Sequence, residues 1–82
     1  MGKGIYKVMF KKDDINEYAH GRISGIVAAW ADPANQMATT KVMIDDECWW
    51  VMSVYTTKIL FWQIKSCIET CYPGKCKYFI AG

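Results

Sequence analysis

Proline and histidine are scarce in this sequence, and long apolar runs are missing. The longest unbroken run of apolar residues, Ile26 to Ala31, is far short of the roughly 20 needed to cross a bilayer, which excludes a membrane-spanning helix. Two prolines and one histidine in 82 residues leave no Pro-rich linker and little material for histidine chemistry. No G-x-x-x-x-G-K phosphate loop is present, and Gly2 and Gly4 around Lys3 read as a loose end of chain. Repeats and low-complexity stretches are also missing. The N-terminal residues lack an apolar stretch of signal-peptide length, Tyr6 stands where a myristoylation motif wants Ser or Thr, and Ala81-Gly82 is no prenylation box. The expectation is a cytoplasmic protein with no membrane partner.

What is present is a globular balance. Hydrophobic residues make up 52% of the chain and charged residues 22%. Residues 1–82 are therefore expected to form one compact α+β domain, too small for a deep cofactor cleft. The net charge of +2 is too mild to imply a nucleic-acid partner by itself.

The periodicity changes along the chain. From Ile5 to Lys12 residues alternate, with Tyr6, Val8 and Phe10 on one face and Lys7, Met9 and Lys11 on the other, as in a half-buried strand. Asp13 and Asp14 offer a helix cap. Ile15, Tyr18, Ala19, Ile23, Ile26, Val27 and Trp30 then recur at helical spacing until Pro33. Gly21 and Gly25 weaken this helix, and Arg22 to Trp30 is a weaker candidate for a strand. Close approach of the helix to a sheet would explain the tolerated glycines.

Thr39 to Ile44 and Cys48 to Thr56 read as a hairpin. A three-residue turn, Asp45-Asp46-Glu47, pairs Val42 with Trp50 and leaves Lys41, Met43, Trp49, Val51 and Tyr55 on a common face. A two-residue turn would place Lys41 on the face of Met52 and Val54, so the longer turn is preferred. Thr57 caps a second helix, with Leu60, Ile64, Cys67, Ile68 and Cys71 inward and Phe61 beside them. Pro73-Gly74 ends it, and Cys76 to Ile80 is a last strand. The order βαββαβ is the ferredoxin-like two-layer plan, with strand order 4-1-3-2; a five-stranded antiparallel sheet with one helix is the fallback.

No constellation fixes a reaction, and no enzyme is expected. Cys48, Cys67, Cys71 and Cys76 lack the paired C-x2-C spacing of strong zinc sites, so they are expected to be metal-free thiols, with Cys71–Cys76 the nearest pair for a disulfide. His20 falls on the polar side of its helix and reads as solvated. The three carboxylates of Asp45, Asp46 and Glu47 read as a solvated turn rather than a cation site. No cofactor is implied.

The informative feature is the sheet face that two helices would leave uncovered. Lys7, Met9, Lys41, Met43, Trp49, Tyr55 and Phe79 are assigned to it, and Trp62 is a separate exposed anchor on the second helix. Such a mixture matches a protein-interaction surface, serving a homodimer or a stand-alone inhibitor or adaptor. Phage-encoded and regulatory proteins fall in this size class. Single-stranded RNA or DNA stacking on the sheet aromatics is the alternative, disfavoured by the low charge and the lack of an RNP1 pattern in the third strand.

Overall fold

The computed structural model describes residues 2–30 and 37–81. Strand β1 (Gly4–Lys11) runs into a short 3-10 turn (Lys12–Asp14) and helix α1 (Glu17–Trp30). Strands β2 (Ala38–Ile44) and β3 (Glu47–Thr56) form the hairpin, followed by helix α2 (Lys58–Cys71) and strand β4 (Cys76–Ile80). The four strands form one antiparallel sheet of order β2-β3-β1-β4, which is 4-1-3-2 read from the opposite edge. Arg22 to Trp30 is helical, and the described residues hold two α-helices and four strands rather than the five-strand fallback. The expected stop at Pro33 lies outside the described residues.

Both helices lie on one face of the sheet. Tyr6, Val8 and Phe10 of β1 and Met52 and Val54 of β3 meet Ala19, Ile23 and Val27 of α1 and Phe61, Ile64 and Ile68 of α2 in one buried cluster. The alternation of β1 makes this possible, because a period of two sends every second side chain to the same face. Tyr6 stacks on Phe61 at 4.6 Å between ring centres. Thr56 is buried but satisfied, its hydroxyl donating to the Trp30 carbonyl at 3.3 Å.

The local signals at the helix starts differ from expectation at one end. Asn16, not Asp13 or Asp14, caps α1: its Oδ1 accepts the Ala19 N–H at 2.8 Å. The two aspartates are taken up by the 3-10 turn. Thr57 caps α2 as expected, its hydroxyl accepting the Leu60 N–H at 3.3 Å.

The hairpin register is a correction. The turn has two residues, with Ile44 opposite Glu47, Val42 opposite Trp49 and Lys41 opposite Trp50. Asp45 and Asp46 take φ values of 51° and 64°. Positive φ at both central residues is the type I′ geometry, whose twist matches that of the flanking strands, and Asp tolerates it better than most residues. The shift of one residue turns all of β2 over. Lys41 and Met43 therefore lie on the helix side, not on the uncovered face.

Assignments in both helices also change. Leu60 is only half-buried and Cys71 is exposed, because α2 turns Phe61, Ile64 and Ile68 to the core. Tyr18 of α1 is 73% exposed. The glycines of α1 do not mark a close approach: a methyl group at Gly21 or Gly25 would meet nothing within 4 Å.

Two consequences for stability are measurable by denaturant titration. Ile64→Ala should cost about 2–5 kcal/mol, the range for emptying a fully buried aliphatic site, and Leu60→Ala clearly less. Gly21→Ala and Gly25→Ala should each stabilise the protein by about 0.5–1 kcal/mol, since both sit exposed inside a helix with open space around them.

Candidate functional site: the uncovered sheet face

The face opposite the helices is built from β4, β1, β3 and β2 in that order. Pairing across the strands places Phe79 beside Lys7, then Ser53 and Ala38; the next row holds Lys77, Met9, Val51 and Thr40. At one end Ile5 lies opposite Tyr55 on one side and diagonal to Phe79 on the other. These three are 45%, 37% and 46% exposed. At the other end Trp49 lies between Lys11 and Val42, with Ile44 beyond. Among the described residues, no segment packs over this face.

Trp49 is on the expected face but is not an exposed anchor. It is only 9% exposed. The ammonium groups of Lys77 and Lys11 stand over its ring, 5.2 and 5.6 Å from the centre. Each lysine lays its methylene stem on apolar surface and keeps its charge in water, so one side chain serves as lid and solubilising group. Lys11 is fixed further by Glu47, whose carboxylate lies 2.7 Å from the ammonium. That hydrogen bond and the opposite charge hold Lys11 above its ordinary range.

The remaining expected residues divide between surfaces. Lys7, Met9, Tyr55 and Phe79 share the uncovered face. Lys41 lies on the other side, its ammonium 5.0 Å from the Trp50 ring centre. Met43 is an exposed residue of the edge strand β2 on that same side. Trp62 projects from α2, 49% exposed and separate from the face. Ile5, Val42 and Ile44 were not among the expected contact residues. Ile5 continues the β1 alternation and was legible from it; the two in β2 came into view only with the two-residue turn.

On the helix side, an open cleft of about 560 Å³ lies between the 3-10 turn, the start of α1 and β3. Lys12, Asp13, Glu17 and Lys41 line it with Trp50 and His20, so its charges are mixed. His20 is half-buried rather than free in solvent: its ring packs edge-on against Trp50 at 4.7 Å and Phe10 at 5.6 Å. Its Nε2 is buried without a hydrogen-bond partner. A histidine spaced for the polar side of α1 is drawn inward because two aromatic rings on adjacent strands face it.

The cysteines are unpaired and spread over intermediate and exposed positions. Among the described residues, no three His, Cys, Asp or Glu side chains converge as a metal site. Cys71 is exposed and accepts a long 3.7 Å contact from Arg22 Nη2. Cys76 sits beside Tyr78 and Glu69. Burial, reinforced by the Glu69 charge, pushes its thiol up to about 12. The Tyr78 phenol is also raised, first by burial and then by donating its proton to Glu69 Oε2 at 2.7 Å.

No protein-family model matches the chain and no curated protein matches it, so the comparisons carry no function to these residues. No described helix is long and apolar enough to cross a membrane.

The thiol environment sets a pH dependence. A thiol raised from 9.0 to about 12 leaves its stabilising contribution intact below about pH 9, and that contribution is lost as pH climbs toward about 12. Denaturant titrations across this window should show falling stability, with a shallower fall in Cys76→Ala; the part that remains above pH 10 is shared by Tyr78 and the Lys11–Glu47 pair. At pH 8, mass spectrometry after alkylation should find Cys71 modified first and Cys76 last.

Proposed function

We propose that the chain is a small non-enzymatic interaction module, built on the ferredoxin-like βαββαβ plan, which docks a protein partner through the uncovered sheet face. It acts as an inhibitor or adaptor by covering a surface on that partner. The observation that carries this reading is the exposed trio Ile5, Tyr55 and Phe79, brought together from three strands on a face that no described residue covers. Exposed apolar and aromatic residues grouped in this way are the usual centre of a protein interface.

The charges favour a different protein over a second copy. Lys7 and Lys11 on the central strand and Lys77 on the edge strand spread positive charge across the face, and its carboxylate Glu47 is already taken by Lys11. Two such faces brought together would repel, whereas an apolar surface with an acidic margin would complement them. The nucleic-acid alternative loses its principal stacking ring, because Trp49 lies beneath two lysines. Trp49 is also a poor probe of binding, since its burial makes Trp49→Ala a destabilising change.

A photo-crosslinking amino acid placed at position 55 tests the reading, with position 59 on the exposed side of α2 as control. Position 55 should join a discrete protein and position 59 should not. Purified and titrated, that protein should bind Tyr55→Ala and Phe79→Ala at least about 30-fold more weakly, the loss expected of hot-spot residues. Micromolar binding of oligo-dT at physiological salt, lost in Tyr55→Ala, would establish the nucleic-acid reading instead. A dimer in sedimentation that Tyr55→Ala dissociates would make the partner a second copy.

A further inference from the structure

A second surface lies around the corner of the sheet, at the outer edge of β4. Among the described residues no strand pairs with this edge. The Ala81 N–H donates to the Ile5 carbonyl at 2.7 Å, which makes Ile5 and Ala81 a hydrogen-bonded pair. Antiparallel alternation then makes Lys7–Phe79 and Met9–Lys77 hydrogen-bonded pairs as well. The peptide groups of Cys76, Tyr78 and Ile80 are left turned outward, while their side chains point to the helix side.

Beside that edge, α2 forms the wall of a small groove of about 130 Å³. Its floor is aromatic: Tyr6 stacks on Phe61, and Phe61 meets Tyr78 edge-on at 6.1 Å between centres. Its wall is Trp62, with Lys65 standing 4.8 Å from the Trp62 ring centre and 5.4 Å from that of Tyr78. Lys58 lines it too, and no carboxylate does. The nearby Glu69 is committed, one oxygen to Tyr78 and the other to the Gly74 N–H at 3.1 Å. The volume is comparable to a cavity of about 150 Å³ that takes up benzene, so it admits one aliphatic or small aromatic side chain.

We propose that the β4 edge and this groove take an extended acidic peptide segment, which adds as a fifth strand, places one apolar side chain over Tyr6 and Phe61, and sets a carboxylate against Lys58 and Lys65. Strand addition supplies affinity through the outward peptide groups of Tyr78 and Ile80, and the groove supplies selectivity at alternate side chains. The charge argument selects this occupant. A second copy pairing through β4 would bring its own two groove lysines against these two. An acidic segment neutralises them.

The test uses an acetylated, fluorescein-labelled hexapeptide in which threonine alternates with valine and glutamate. One control replaces its glutamate by lysine, and another is N-methylated at the amides that would face β4. Fluorescence anisotropy should show saturable binding of the acidic peptide and at least about tenfold weaker binding of either control. Trp62→Ala and Lys65→Glu should each weaken it about tenfold or more, while Tyr55→Ala leaves it unchanged. Amide NMR shifts should centre on Tyr78 and Ile80. Equal binding of the lysine or N-methylated peptide would overturn the proposal, as would shifts centred on Ile5 and Tyr55 or no saturation at millimolar peptide. A concentration-dependent dimer that perturbs the β4 amides would overturn it in favour of a second copy.

Discussion

Because both helices cover the same face of the sheet, the alternation of β1 governs everything else. Its inward residues, Tyr6, Val8 and Phe10, form the middle of the core; its outward residues, Ile5, Lys7, Met9 and Lys11, form the middle of the opposite face. A strand at the centre of a sheet cannot slip by one residue without exchanging these two sets. The neighbouring strands inherit the same division through their pairing. The core is thus one-sided, and the chain must keep the other side of its sheet tolerable to water by other means. It does so unevenly. Lysine stems lie over Trp49 at one end, and Ile5, Tyr55 and Phe79 stand open at the other.

The fold was legible where the pattern was long and one face was clearly buried. β1, the hairpin, the two helices and β4 all follow from changes of hydrophobic period, and the strand order follows from the order of elements. Elsewhere a residue's position in the sheet outweighs its chemistry. Lys41 was kept off the helix side because a lysine is costly in a core. β2 is an edge strand, however, and Lys41 reaches past Trp50 to water from there. The turn geometry decided the register instead, through two aspartates in the left-handed region. His20 differs for the converse reason. Spacing along α1 sets its direction roughly, but the aromatic rings that draw it in belong to other strands and have no local signature. The exposure of Tyr55 and Phe79 was readable from alternation; the lids over Trp49 were not, since they join three strands distant in sequence.

The uncovered face and the β4 groove meet at the outer strand. Phe79 belongs to the first surface and borders the second, while Tyr78 and Ile80 belong to the second. Both surfaces pair an apolar centre with lysines, and in both the nearest carboxylate is already engaged, Glu47 with Lys11 and Glu69 with Tyr78. The mild net charge conceals this, because half of the eight acidic residues, Asp13, Asp14, Asp45 and Asp46, lie elsewhere, in the 3-10 turn and the hairpin turn. Charge distribution, not total charge, sets the character of each surface.

The central place of β1 also bears on how quickly the chain reaches this structure. β1 precedes the other described strands, yet both of its neighbours, β3 and β4, come after long intervening stretches, and its contact with β4 joins residues as far apart as Tyr6 and Ile80. Only the β2–β3 hairpin and the helices can form from local contacts. The loop-closure entropy of bringing β1 between β3 and β4 must be met before the core begins to repay it. The rate of folding therefore depends on the same strand as the two faces do: pairing β1 is the non-local step, whereas the hairpin and the helices are local.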